Sequence, residues 1–234
     1  MRRHIEEGKM NLFEIKDCAL LIRMSGCPPA YNLRELQDRI SSCSGEVLYH
    51  HFCETTLAPS FDYPDYRNDF AVWARHKLGD NILAERLAMI DPYSFASMED
   101  LRRLLLDIID ERLSEVSMIP WVRPGHEFYF TEASTIVFDT NKKISVPDEL
   151  DSAILDMTTG SIYYHFLEAR RRTPFGSDDF THWLGEFGDA QSAAYIEAIS
   201  HIDFTFYTLT ELRTELARVL KTSKSAAMDS GKRE

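Results

Sequence analysis

The octapeptide VLYHHFCE at 47–54 has a near copy, IYYHFLE, at 162–168. A chain that repeats itself must fold the same unit twice. The repeat extends well beyond these residues. Phe13 matches Phe128 at an offset of 115, His51 matches His165 at 114, Trp73 matches Trp183 at 110, and Leu101 matches Leu212 at 111. Small length changes in the loops account for the drift. A register held over about 100 residues, with the same residue types at matched places, exceeds what shared helical periodicity produces. The sequence therefore divides into an N-terminal extension (1–11), a first repeat (12–116), a linker rich in Pro and Gly (117–127), a second repeat (128–220) and a polar, flexible tail (221–234).

Within each repeat the order of elements is the same. FEIKDCALLIRM at 13–24 and FYFTEASTIVFD at 128–139 read as strands, each followed by a turn: Gly26 and two prolines in the first, 140–143 with Asn141 in the second. A helix begins at Asn32, with Glu35 completing a capping box and Leu33, Leu36 and Ile40 on one face. Ser145, Leu150 and Ile154 do the same in the second repeat. Gly45 and Gly160 are expected to end these helices before the Tyr/His run. NDFAVW at 68–73 and DDFTHW at 178–183 then place Phe and Trp on one helical face, with Asp69 and Asp179 in N-cap position. Gly79–Asp80 and Gly188–Asp189 close one helix and cap the next, and Ser97 and Thr208 open the last helix of each repeat.

The expected fold is helix-dominated α+β: two strand-plus-helices repeats packed about a pseudo-twofold, with the opening strands near the shared interface and a cleft between the repeats as the default ligand site. At 234 residues, 44% of them hydrophobic and 14 of them Phe, either repeat is large enough to hold a core without metal or disulfide staples.

Four features narrow the function. A net charge of −12 repels phosphate backbones and anionic lipid, which argues against nucleic-acid and membrane partners. The basic cluster Arg170–Arg171–Arg172 reads as a solvated helix end, with an anion site as the alternative. Cys18, Cys27, Cys43 and Cys53 contain no C-x-x-C pair and recur nowhere in the second repeat, as expected of reduced structural thiols rather than a zinc site. The N-terminus lacks the apolar core of a signal peptide, and no apolar run reaches membrane-spanning length, so a cytoplasmic location is expected.

The sharpest chemical candidates are His51 with Glu54 and His165 with Glu168, three apart and so on one face if helical. Two imidazoles and two carboxylates converging between the repeats would suit a polar ligand pocket or a bundle-core metal, although such sites usually read Glu-x-x-His. Against this, His in an aromatic run is more often a core residue bonded to a carboxylate or a backbone carbonyl. Asp69 and Asp179 have the plainer reading of helix caps. Trp73 and Trp183 have that of core, beside the alternative of stacking on a ligand. No phosphate loop, nucleophile elbow, H-E-x-x-H or C-x-x-C is present, and no cofactor is implied.

The combination of YHHF at 49–52, IYYHFLEARRR at 162–172, the D-F-x-x-W blocks and LGD or FGD resembles an uncharacterised prokaryotic family of two-copy proteins over 12–220. That resemblance implies a soluble bacterial or archaeal protein and supplies no catalytic residues. One departure breaks the internal symmetry: His50 stands where the second repeat has Tyr164. The expectation is a non-catalytic cytoplasmic binding or adaptor protein with an unknown protein or small-molecule partner. The alternative is an enzyme using His51, Glu54, His165 and Glu168, with or without a metal.

Overall fold

Two strands set the frame of the computed structural model, which describes residues 12–61, 66–172 and 176–230. β1 (Phe13–Met24) and β2 (Thr131–Ile144) form a two-stranded sheet. Lys143 bonds Glu14, Thr140 bonds the carbonyl of Ile15, and Arg23 bonds Glu132, so the contacts run in opposite order along the two strands and the ladder is antiparallel. The rest of the described chain is predominantly helical. It forms two compact units, one from the described parts of Met1–Ala19 and Val137–Glu234, the other from Leu20–Ile136. Each strand therefore contributes residues to both units.

In the unit of Leu20–Ile136, α1 (Leu33–Ser42) and α2 (Gly45–Phe52) are followed by α3 (Asp69–Trp73), α4 (Asn81–Ala88) and α5 (Met98–Glu115). The caps follow from sequence: Asn32, Ser44, Asp80 and Ser97 each accept a bond from the backbone N–H three residues on. Gly79 ends the π-helical turn after α3 with φ 76°, the left-handed conformation that Gly adopts without Cβ strain. The apolar faces of α1, α3, α4 and α5 meet in a core containing Leu36, Ile40, Phe70, Trp73, Leu83 and Leu105, and Phe128 and Phe130 join it.

In the other unit, α6 (Leu150–Leu155), α7 (Thr159–Ile162), a π-helical turn (Tyr163–Glu168) and α8 (Ala169–Arg172) precede α9 (Asp179–Gly185), α10 (Ala190–Ser200) and α11 (Leu209–Ser230). Leu150, Ile154, Phe166, Phe180, Leu212 and Leu216 are buried here, together with Phe13 and Ile15 from β1.

Three local expectations are corrected. The second strand starts at Thr131 and runs through the expected turn at 140–143. Asp139 does accept from the Asn141 N–H, and Asn141 does take φ 59°, but the strand carries this kink and continues to Ile144. Gly45 and Gly160 do not end helices; each lies in the first turn of the next one, behind the caps Ser44 and Thr158. Residues from Lys221 extend α11 to Ser230, because Lys, Ser and Ala carry no breaker before Gly231. The extension 1–11, parts of the loops with Pro64 and Pro174, and 231–234 lie outside the described residues. Among the described residues no helix is long and apolar enough to cross a membrane.

The two glycines differ in what surrounds them. A Cβ on Gly160 would strike the Asp17 carboxylate and come within 2.5 Å of the Cys18 carbonyl, whereas one on Gly45 would meet only the Met98 side chain at 3.4 Å. Gly160→Ala is expected to cost about 2 kcal/mol or more through forced displacement of a strand backbone. Gly45→Ala should match wild type or exceed it by up to about 1 kcal/mol. Urea unfolding of the two variants checks the contrast.

Candidate functional site

α2 carries His51 into the core of its unit at 1% exposure. Its Nδ1 lies 2.7 Å from Asp69 Oδ2, and its Nε2 accepts a hydrogen bond of 3.0 Å from the backbone N–H of Thr131. A nitrogen that accepts from an N–H has no proton of its own. The ring proton therefore sits on Nδ1 and is donated to Asp69, and the imidazole is neutral with both nitrogens occupied. Phe128 at 4.9 Å, Phe70 at 5.4 Å and Phe130 at 6.3 Å enclose the ring. Burial in this aromatic cage pushes the His51 pKa down, against the opposing pull of Asp69.

The second unit repeats the arrangement atom for atom. His165 Nδ1 lies 2.8 Å from Asp179 Oδ2, and Nε2 accepts from the Lys16 N–H at 2.9 Å. Phe13 at 4.9 Å and Phe180 at 5.9 Å flank the ring. Lys16 and Thr131 are themselves matched residues, at the same offset of 115 as Phe13 and Phe128. In both units the strand residue that binds the imidazole thus comes from the half of the chain opposite to the imidazole. Arg172 adds a second donor to Asp179 at 2.9 Å. Burial alone would raise the Asp179 pKa, but the bonds from His165 and Arg172 outweigh it and hold the carboxyl below its usual value.

These contacts reassign the expected roles. Asp69 and Asp179 are not the caps: Asn68 accepts from the Ala71 N–H and Asp178 from the Thr181 N–H, one residue earlier in each case. That shift leaves the two aspartates in the first helical turn, aimed at the imidazoles. Glu54 does not pair with His51. Glu54 lies four residues after His50, the other same-face spacing of an α-helix, and its Oε2 is 2.9 Å from His50 Nδ1, with Thr135 at 3.4 Å from its other oxygen. Glu168 is buried at 7%. Trp73 is fully buried and donates its indole N–H to the His126 carbonyl; Trp183 is 4% exposed and lies 5.4 Å from Phe13. Arg170 packs over Phe166 and Phe204 and reaches the buried Asp178, and Arg172 lies over Tyr164, so these two members of the basic cluster are engaged inside the unit.

The residues that sequence reading missed are the backbone donors of Lys16 and Thr131, which carry no side-chain signature, and the His50–Glu54 pair. His50 is fully buried, and its Nε2 has no hydrogen-bond partner among the described residues. The consecutive Asn68–Asp69 and Asp178–Asp179 pairs were the one available signal: a single cap position cannot use two capping residues. Among the described residues no group of three or more His, Cys, Asp and Glu side chains is placed to hold a metal ion. Ligation by His51 or His165 would first require breaking a buried hydrogen bond to the strand.

The model of a family of unknown function, DUF5752, matches residues 10–221. The chain belongs to that family. Its fold is similar to that of OrfY from Thermoproteus tenax, with a TM-score of 0.75 and 30% sequence identity over 92% of this chain and 96% of OrfY. No curated protein matches the chain.

The depressed pKa gives a signed pH dependence. Folding requires neutral His51, whereas the unfolded chain protonates this residue below about pH 6.5. The contribution of His51 to stability is therefore present above that pH and is lost as pH falls through it. His51→Gln should cost about 2–4 kcal/mol at pH 7.5 by leaving Asp69 and the Thr131 N–H without their partner. The gap from wild type should narrow by about 1 kcal/mol at pH 5.5, as read from denaturant midpoints at the two pH values.

Proposed function

We propose that this member of the family is a non-catalytic cytoplasmic binding or adaptor protein of prokaryotic origin. In this reading the chain arose by duplication of a unit of about 100 residues, 12–116 and 128–220 joined by 117–127, and the two repeats exchange their opening strands. The observation that carries it is the use of the paired histidines. Both nitrogens of His51 and of His165 are committed to a carboxylate and a strand N–H, so neither ring has a nitrogen for proton transfer or metal ligation. The groups that most resembled a catalytic apparatus act as fasteners.

Exposed apolar side chains on the strands support a binding role. β1 leaves Leu21 59% and Met24 56% exposed, and β2 leaves Ile136 51% exposed, on a sheet that has two strands among the described residues. An anionic surface, net −12, favours protein or small-molecule partners over nucleic acid or lipid.

One observation favours the enzyme reading: His50, paired to Glu54, retains a nitrogen without a partner among the described residues. Incubating the purified chain with the small-molecule fraction of a prokaryotic lysate, followed by mass spectrometry over time, separates the two readings. No time-dependent consumption is expected. Turnover that disappears in His50→Gln, with the unfolding midpoint retained, would establish the enzyme instead.

A further inference from the structure

The unit containing α6 to α11 encloses a cavity of about 430 Å³ between the end of β2 and helices α6 and α7. That volume lies in the lower part of the range typical of small-ligand sites, roughly 300–1,000 Å³. Its floor is apolar, with Ile15 and the buried Met157. Its polar groups are divided by sign. Lys142 of β2 lines the cavity, as do Glu149 and Asp156 from the two ends of α6; all three are exposed, and none of their side chains has a hydrogen-bond or ion-pair partner among the described residues. Lys143 also lines the space, but its charge is already matched by Glu14 at 2.6 Å. Ser161, 1% exposed, also lines the space, and its oxygen accepts a hydrogen bond of 3.3 Å from the Thr158 hydroxyl.

We infer that this cavity binds a zwitterionic small molecule of the amino-acid class, its carboxylate held by Lys142 and the Ser161 hydroxyl, its ammonium by a carboxylate at one end of α6, Glu149 or Asp156, and its side chain on Met157 and Ile15. A simple anion would leave two carboxylates facing it, and a simple cation would leave Lys142 unmatched. A ligand bearing both charges has a partner of each sign on the lining.

The site belongs to this unit alone. At the offset of 114 that relates Leu36 to Leu150 and Ile40 to Ile154, Ala153 is matched by Arg39 and Ser161 by Val47; at the strand offset, Lys142 is matched by Cys27. The other repeat has bulk and apolar groups where this one has space, a hydroxyl and a charge. Divergence of one copy toward ligand binding follows naturally from duplication, and the inference rests on the binding-protein reading in that the ligand is held rather than transformed.

The full chain is to be titrated calorimetrically, and by shift of its thermal midpoint, with the individual L-amino acids, with N-acetyl and methyl ester derivatives of any that bind, and with inorganic phosphate. At least one amino acid with an apolar side chain should bind and raise the midpoint by about 2 °C or more near saturation. Both derivatives should bind at least about tenfold more weakly, since each removes one charge. Lys142→Ala, a surface change, and Ser161→Val, which installs the residue of the other repeat, should each weaken binding by about tenfold or more. Binding of no amino acid, equal binding of the N-acetyl derivative or phosphate, or binding unaffected in Lys142→Ala would each overturn the site. The first of these leaves the non-catalytic reading standing, whereas consumption of a bound amino acid removes that reading and keeps the site.

Discussion

A backbone N–H of a strand donating to the unprotonated nitrogen of a buried imidazole is the contact on which each unit depends. It is directional and requires one tautomer, and the aspartate on the far side of the ring supplies that tautomer. The competing magnitudes explain the design. Burying Phe13 or Phe128 contributes roughly 2–3 kcal/mol each but fixes no register, because apolar contact has no direction. A buried hydrogen bond contributes only about 1 kcal/mol net, yet leaving its partners unmade costs about 1–3 kcal/mol for each group. Hydrophobic burial thus attaches the strand, and the imidazole selects which residue of the strand lies at the ring.

The carboxylates show the same division of labour. Asn68 and Asp178 satisfy the helix ends, which frees Asp69 and Asp179 to turn inward. In one unit the aspartate is 5% exposed at its side chain; in the other it is 21% exposed, and Arg172 attends it. The cation compensates for a wetter, less enclosed position without altering the geometry at the imidazole. Asymmetry enters beside the fastener rather than in it. His50 and Glu54 form a dry pair in one unit, while Tyr164 in the other lies under the Arg172 guanidinium. The two units thus differ in the residues next to the constrained contact, and the cavity beside Ser161 lies in one of them.

Much of the fold was legible because it depends on local chemistry. Asn32, Asp80, Ser97, Asp189 and Thr208 cap helices in the way their spacing implies, and Gly79 and Gly188 take positive φ where a helix must stop. Misreadings arose where two local solutions were equally good. At 139–143 the sequence holds a complete turn signal, yet pairing with β1 keeps the strand running. At 68–69 and 178–179 two capping residues stand in succession, and only the position of the imidazole decides which one caps. His51 and Glu54 three apart do share a face of a regular helix, but so do His50 and Glu54 four apart, and with the His51 Nδ1 taken by Asp69 it is His50 that pairs with Glu54.

The sequence by itself determined most of the helices, their caps and the residue types in each core, because these follow from periodicity and from side chains acting on backbone within a few residues. Tertiary structure alone decided what the histidines do. Their partners are a carboxylate 18 or 14 residues away and a main-chain N–H 80 or 149 residues away. Every residue except proline carries such an N–H, so no residue type marks the donor, and only the folded path of the strand brings Lys16 and Thr131 to the rings.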